Sequence, residues 1–246
     1  MSRATACVFL LAMFLPLPLL AQSQGDERIC RNGAFPQDEG PFSLAEIIGS
    51  THLHFLLDGP GCPEKGGKAC QDRAYVLPGD TVLISKRAGD FRCAFYPNSA
   101  GGAAGWVPSN RLREIVFNEV PSLPRWVGTW VDDDNKIKID IRGKALHASG
   151  EAFWPSKHPS NTEAPYGPNM GEFDAKAIPD HNIVTFVDRD VGYGLEKCHI
   201  DATLVNDLLI VSDNQNCGGE HVTFSGVYSR KRQLGNAHNF PFDDDR

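Results

Sequence analysis

Three polar residues at alternate positions in KALHASGEAFW, residues 144–154, have side chains that could carry out acid–base or nucleophilic chemistry. His147, Ser149 and Glu151 share one face if the stretch is a strand, and a hydrolase pairs a nucleophile with a histidine base. Residues two apart on a strand lie about 6.6 Å from each other, whereas a nucleophile and its base approach to about 2.6–3.2 Å. The stretch is therefore interpreted as a strand whose polar face meets water.

A second candidate lies in NQNCGGEHVTFSGVYSRKR, residues 214–232, where Glu220 and His221 follow a cysteine and a glycine pair. A glycine loop that holds phosphate is followed by a helix, but the alternation of Val222, Phe224 and Tyr228 predicts a strand here. The glycine pair is predicted to form a corner in which positive φ is allowed. The stretch is interpreted as the last disulfide and the closing strand of a β-domain.

Two further groups contain residue types that bind metals. His52 and His54 in THLHF would share a strand face and could ligate a metal, although a surface histidine pair is the competing interpretation. The run DDDN, residues 132–135, could supply oxygen ligands to calcium, but its spacing is not that of a calcium loop. A polar turn before the next strand explains this run without a metal. No cofactor, metal ligand or catalytic residue is assigned.

Tryptophans are the remaining candidates for ligand contact, because indole rings combine a large apolar face with one N–H donor. Trp106, Trp130 and Trp154 are taken as possible ligand-binding residues, and Trp130 or Trp154 would line a cavity if the second half of the chain is hollow. The competing interpretation is that these residues, like Trp126, are packing anchors.

The elements that position these residues are predicted to be short antiparallel strands. In KIKIDIR, residues 136–142, isoleucines alternate with polar residues, and CHIDATL, residues 198–204, shows the same period of two. A turn centred on Asn206 would lead from the second strand into LLIVSD, residues 208–213. One short helix is predicted over residues 42–48, with Ser43 as its N-cap and Glu46 three residues later. The fold class is therefore all-β.

Six cysteines follow the N-terminal apolar run, and an even count in an exported chain indicates disulfides. Their positions predict a Cys198–Cys217 bridge, and the short separation of Cys62 and Cys70 favours a second bridge, which leaves Cys30 for Cys93. The sequence does not fix the pairing among these last four. A zinc site is the competing interpretation, but the spacings match no compact ligand pattern.

The first residues indicate export. Arg3 precedes an apolar run from Ala6 to Ala21 that Pro16 and Pro18 interrupt, which is the layout of a signal peptide, predicted here as residues 1–21. The run is shorter than the roughly 20 apolar residues of a membrane span, so no membrane insertion is expected after cleavage. Losing Arg3 would change the formal charge from −7 to −8. This acidic balance argues against nucleic acid as a partner.

Composition divides the rest of the chain. Residues 26–116 and 125–230 are predicted to be two β-domains, joined by a proline-containing linker at 117–124. Residues 231–246 are polar and without periodicity, which predicts a disordered tail. The closed barrel expected in the second domain has about eight strands.

The stretch from Ala74 to Leu112 resembles the bacterial SH3-like domains of exported proteins. The similarity rests on Pro78-Gly79-Asp80 before an apolar strand, then GDFRCAFY, then Gly105-Trp106-Val107. It implies a small SH3-like barrel in the first half. A cysteine-bearing segment, residues 58–73, replaces the usual opening strand and its arginine-containing motif, so no binding residue of that family is transferred to this chain.

The second half begins with VGTW, residues 127–130, and resembles the calycin-type small barrels, which include lipocalins and some exported inhibitors of proteases and lysozyme. In those families a Gly-x-Trp near the start closes one barrel end, a role that the resemblance gives to Gly128 and Trp130. It implies a closed antiparallel barrel, but a fold alone does not specify a function.

Together these observations predict a secreted or periplasmic, disulfide-bonded protein without enzymatic activity. Its expected role is binding in the bacterial envelope, with cell-wall glycan or peptide, or another exported protein, as the partner. One alternative is an inhibitor of a lysozyme or protease that acts through the second barrel. A hydrolase using His147, Ser149 or His221 is the other alternative.

Overall fold

The computed structural model describes residues 28–38, 40–98, 101–116, 120–192 and 196–231. The predicted signal peptide lies outside these ranges, as do residues 117–119 of the predicted linker and the predicted tail beyond Lys231. The described residues form two antiparallel sheets, one of seven strands and one of eight. The all-β fold class predicted from the alternating pattern is confirmed.

The first sheet has the strand order β3-β2-β6-β5-β4-β1-β7. Its strands are β1 Ser43–Ile47, β2 Leu53–Leu56, β3 Gln71–Val76, β4 Thr81–Ala88, β5 Phe91–Tyr96, β6 Ala103–Pro108 and β7 Leu112–Ile115. The outer strands are β3 and β7, so each has one ladder side without a strand partner in this sheet.

Strand β1 occupies the segment that was predicted to be a helix, and that prediction was wrong. Ser43 pairs with Ile84 of β4, and the opposite edge of β1 pairs with β7. Glu46, the predicted capping partner, instead forms a salt bridge with Arg113 of β7. The two neighbouring strands therefore provide hydrogen-bond partners for the backbone of this segment. This pairing outweighs the local sequence pattern, which is compatible with a helix or a strand.

The central strands of the first sheet are buried on both faces. Neighbouring residues on a strand point to opposite sides, and Leu83 and Ile84 accordingly belong to two different apolar clusters. The cluster that contains Ile84 is internal to the sheet's own residues. The cluster that contains Leu83 also includes Phe35 from the N-terminal segment and Ile210 from the second half, so this face joins the two halves.

The segment from residue 28 to residue 37, here called the N-terminal arm, covers that second face. Cys30 bonds Cys93 of β5, and Phe35 is completely buried at the start of a 3-10 turn over Phe35–Gln37. This turn contacts the barrel strand that carries Ile210. The arm is therefore an apolar wedge between the first sheet and the barrel.

The second sheet has the order β11-β10-β9-β8-β15-β14-β13-β12. Its strands are β8 Gly128–Asp132, β9 Asn135–Arg142, β10 Ala145–Trp154, β11 Asn169–Ala177, β12 Ile183–Asp188, β13 Cys198–Val205, β14 Leu208–Asp213 and β15 Gly226–Arg230. The last strand pairs with the first of the set. At the gap between β11 and β12, the buried Asp188 carboxylate accepts the Asp174 N–H at 2.7 Å, so the barrel is nearly closed.

The barrel interior is packed with side chains. The predicted inward positions of β10, Leu146, Ala148 and Ala152, are buried, and the cluster around them contains Trp130 and Tyr228. Apolar burial of this kind contributes roughly 25 cal/mol per Å², and large aromatic residues bury the most area.

Two details of the strand predictions change. Ile141, predicted to face inward with the other isoleucines of its strand, is 39% exposed. The turn from β13 to β14 contains two residues, because Val205 pairs with Leu208, and Asn206 takes a φ of 53° there. Asparagine tolerates this conformation better than most residues.

All three predicted disulfides are present: Cys30–Cys93, Cys62–Cys70 and Cys198–Cys217. Bridges of this kind persist in oxidising compartments, so they are consistent with a periplasmic or extracellular location. No helix in the described ranges is long and apolar enough to cross a membrane.

Candidate functional site

His147 lies between two carboxylates on the outer face of the barrel. Its Nε2 is 2.9 Å from Asp174 Oδ1, and its Nδ1 is 3.5 Å from Asp140 Oδ1. Strand pairing places Ser149 opposite Asp174 rather than opposite the imidazole. Both ring nitrogens face carboxylates, so in this arrangement neither is directed at a serine hydroxyl as a base would be.

The Glu220–His221 pair forms an exposed corner at the barrel surface. Its atoms Oε1 and Nε2 are 3.5 Å apart, and His221 takes a φ of 65°. The preceding glycines were predicted to supply positive φ, but at Gly218 the requirement is close approach, because an added Cβ would lie 2.6 Å from the Gly171 Cα. Gly218 therefore allows its backbone to contact that of Gly171, directly after Cys217, the second cysteine of the Cys198–Cys217 disulfide.

The DDDN run forms the predicted tight turn, between β8 and β9. Asp133 takes a φ of 51°, and Asp134 accepts the Lys157 N–H. Asn135 donates to Thr223 O and accepts from Phe153 N–H, so these polar groups serve the barrel itself.

Asp132, the first residue of that run, has an unusual environment. It lies beside the Gly226 backbone, where an added Cβ would overlap its carboxylate. Burial, with a smaller contribution from Asp133, raises the pKa of Asp132 to about 6, against the effect of a hydrogen bond from the Val227 backbone. Burial, with added repulsion from Asp132, also raises the pKa of Tyr228. Asp132 and Tyr228 are interpreted as structural residues, since they lie on β8 and β15, the first and last strands of the barrel.

The tryptophans divide into packing residues and one exposed residue. Trp106 and Trp130 are completely buried and donate their indole N–H groups to the backbone carbonyls of Arg28 and Trp126. They present no exposed surface to a ligand. Trp154 is 42% exposed and its ring centroid lies 4.7 Å from that of His221.

A different region, at the β3 edge of the first sheet, holds a surface groove. A β-bulge distorts the pairing of β2 with β3 at this groove. His54 pairs with Tyr75 and Leu56 pairs with Gln71, so an interval of two residues on β2 lies opposite an interval of four residues on β3. Within the bulge the Asp72 carboxylate accepts the Ala74 N–H at 3.1 Å. Bulges redirect side chains and are common beside functional sites.

The bulge fixes the orientation of a histidine. The Asp72 carbonyl oxygen is 2.9 Å from His54 Nδ1, and because a carbonyl can only accept, Nδ1 carries the proton. In the neutral ring Nε2 is then an acceptor. His52 and His54 were predicted to share a strand face; His52 lies one residue before β2, and the two ring centroids are 5.1 Å apart.

Tyr75 completes an aromatic cluster with the two histidines. Its ring centroid lies 5.6 Å from that of His52 and 5.8 Å from that of His54, in the edge-on arrangement that aromatic pairs favour. Tyr75 is 55% exposed. The cluster offers apolar ring surface together with polar tips on one rigid sheet edge.

The groove beside this cluster, here called the edge groove, has a volume of about 490 Å³. Its wall includes two glycines from the loop that the Cys62–Cys70 bridge closes. It is lined by Thr51, His52, Leu53, His54, Leu56, Gly66, Gly67, Gln71, Phe91 and Pro108. Apolar walls with a few polar groups are typical of ligand sites.

Among the residues that the structure describes, no group of three or more His, Cys, Asp or Glu side chains is placed to hold a metal ion. The groove is suited to a ligand with flat apolar faces and polar edges.

Sequence reasoning identified the histidine pair but not Tyr75, Gln71 or the bulge. The bulge arises from the pairing of β2 with β3, which no local pattern encodes. Exposure alternates along QDRAYV, residues 71–76, in the structure, but the three consecutive polar residues from Gln71 to Arg73 hide this alternation in the sequence.

Comparison with known proteins adds no assignment: no protein-family model, no curated protein and no solved structure matches this chain.

Proposed function

We propose that this protein is a non-enzymatic binding protein of the bacterial envelope, and that it holds cell-wall material in the edge groove. The observation that carries the proposal is the exposed cluster of His52, His54 and Tyr75 beside an open groove. The C–H faces of sugar rings pack against aromatic rings of this kind, while histidine and tyrosine tips supply hydrogen bonds to hydroxyl groups.

Two further observations support it. The three disulfides fit an oxidising compartment, where an envelope protein would work. The resemblance of the first half to SH3-like domains of exported proteins implies a binding module in the same half that carries the groove.

The test is co-sedimentation of the full-length protein with purified sacculi. We expect the wild-type protein to pellet and Tyr75→Ala to remain mostly in the supernatant. Tyr166→Ala is the matched control, because Tyr166 is a fully exposed tyrosine of the second half. The proposal fails if the wild-type protein does not pellet, or if Tyr75→Ala pellets as well as the control.

A second candidate function, inhibition of a lysozyme or protease, is favoured by the surface around Trp154. The Trp154 and His221 rings are in contact at an interplanar angle of 44°, and Met170 beside this corner is 50% exposed. The Asn169 side chain donates to the Glu220 carbonyl, which holds the corner rigid. Exposed tryptophans on rigid supports often contribute most of the energy of a protein interface.

This candidate predicts near-stoichiometric slowing of one enzyme in a panel of lysozymes and proteases by the full-length protein. Trp154→Ala would abolish the slowing, whereas Tyr75→Ala would leave it intact. Unchanged rates across the panel would count against it.

A further inference from the structure

We propose that the edge groove selects ligands that carry a carboxylate, and that Arg73 recognises this group; the inference rests on the proposed binding function. Exposure alternates along β3, so that Gln71, Arg73 and Tyr75 are exposed while the residues between them are half-buried. Gln71 lines the groove and Tyr75 belongs to the aromatic cluster. Arg73 lies midway between them in the chain, and its exposure matches theirs, so its guanidinium is assigned to the same side of β3.

Arg73 differs from its neighbours in having no partner. Among the arginines described between residues 28 and 116, it is the one whose side chain forms neither a salt bridge nor a hydrogen bond. The others contact carboxylates or backbone carbonyls: Arg28, Arg31, Arg87, Arg92, Arg111 and Arg113. A guanidinium has five donors in a planar fork that matches a carboxylate, and at Arg73 all five are available.

The loop on the other side of the groove adds positive charge. Lys68 directly follows the lining residues Gly66 and Gly67, is exposed, and forms no salt bridge within the described part of the chain. The one acid of this loop, Glu64, is paired with Arg28 at 3.1 Å. The groove is therefore flanked by unpaired cations in a chain whose formal charge is −7.

These features define one class of occupant: a saccharide strand that carries carboxylates, such as the acidic glycan–peptide material of a bacterial wall. The sugar rings would pack on His52 and Tyr75, and a carboxylate would accept a bidentate pair of hydrogen bonds from Arg73. A neutral glycan would use the aromatic cluster and leave the guanidinium without a partner.

The test compares two forms of one probe by calorimetry. Glycan–peptide fragments released from purified sacculi are used as prepared, and after their carboxylates have been converted to amides. We expect the full-length protein to bind the untreated fragments about tenfold more tightly than the amidated ones. Arg73→Gln should abolish this preference, and Arg73→Lys should restore part of it, because lysine keeps the charge but not the fork.

Two controls keep the outcomes distinct. Tyr75→Ala should weaken binding of both probes by a similar factor, and Arg189→Gln, which removes an exposed arginine of the barrel, should change nothing. Equal affinity of the wild-type protein for both probes would overturn the carboxylate proposal while leaving the binding function in place. Absence of binding to either probe would overturn both.

Discussion

The outer face of the barrel and the edge groove carry similar residue types, but their side chains have different partners. On the barrel, Lys136 is 3.2 Å from Glu151 and His147 is 2.9 Å from Asp174. At the groove, the Arg73 side chain makes no salt bridge with any described residue. The comparison shows that residue type alone does not locate a binding surface. A polar side chain is available to a ligand when it forms no hydrogen bond or salt bridge within the protein.

The largest effect should come from the barrel interior. Trp130→Ala removes a fully buried indole, together with its stacking under the Arg230 guanidinium at 4.5 Å. We expect the free energy of unfolding to fall by about 3–5 kcal/mol, measured by urea denaturation. Trp154→Ala is the control and should change it by less than about 1 kcal/mol. Equal effects would contradict the division into packed and exposed tryptophans.

A pH-dependent effect should appear at Asp132, the barrel carboxylate that the fold disfavours in its charged form. Its pKa is about 6 in the folded protein against an ordinary 3.8. The stability linked to its protonation is therefore fully present below about pH 3.8 and is lost as the pH rises through 6. Asp132→Asn should raise the free energy of unfolding by about 1–3 kcal/mol at pH 7.5.

The same Asp132→Asn substitution should have little effect on the free energy of unfolding at pH 3.5. At that pH the Asp132 side chain of the folded protein is protonated and therefore uncharged, as asparagine is. Urea denaturation at the two pH values measures the difference. Asp180→Asn, at a carboxylate with a 94% exposed side chain, should show no such difference. A gain that is equal at both pH values would mean that charge burial is not its cause.

A matched pair of histidine substitutions tests the comparison directly. His147→Gln removes contacts to two carboxylates and should lower the free energy of unfolding by about 1 kcal/mol. His52→Gln, at the groove, should leave it within about 0.5 kcal/mol. Thermal or urea unfolding of both variants measures these losses. A larger loss for His52→Gln than for His147→Gln would show that the groove histidine stabilises the fold.

The smallest effect on stability is expected at Arg73. Arg73→Gln removes a side chain with no intramolecular partner, so the free energy of unfolding should change by less than about 0.5 kcal/mol. Arg113→Gln, which breaks a salt bridge to Glu46, is the control within the same sheet. A large loss at Arg73 would mean that the guanidinium stabilises the fold.

The sequence predicted those features that depend on local period and on compartment. Alternation identified the inward faces of β10 and β13, and cysteine spacing indicated the Cys198–Cys217 bridge. The segment of β1 was misread because three apolar residues within five positions fit a helix as well as a strand. Its state was decided by β4 and β7, which lie far from it in the sequence.

The candidate site was less predictable than the fold. The histidine pair is visible in THLHF, but the role of Tyr75 depends on its pairing opposite His54. Whether the Arg73 guanidinium forms a salt bridge depends on where the carboxylates of other strands lie. Properties of this kind arise from register and tertiary packing, which a single sequence does not display.

The N-terminal arm has a consequence for how the chain is made. Phe35 emerges early in synthesis, yet the strand that covers it, β14 with Ile210, is among the last to be produced. Until then the arm has only part of its apolar environment, even if Cys30 has already joined Cys93. A chain that stops before β14 would expose Phe35 to water, where chaperones and proteases recognise apolar side chains. Burial of the arm therefore distinguishes a finished polypeptide from a truncated one.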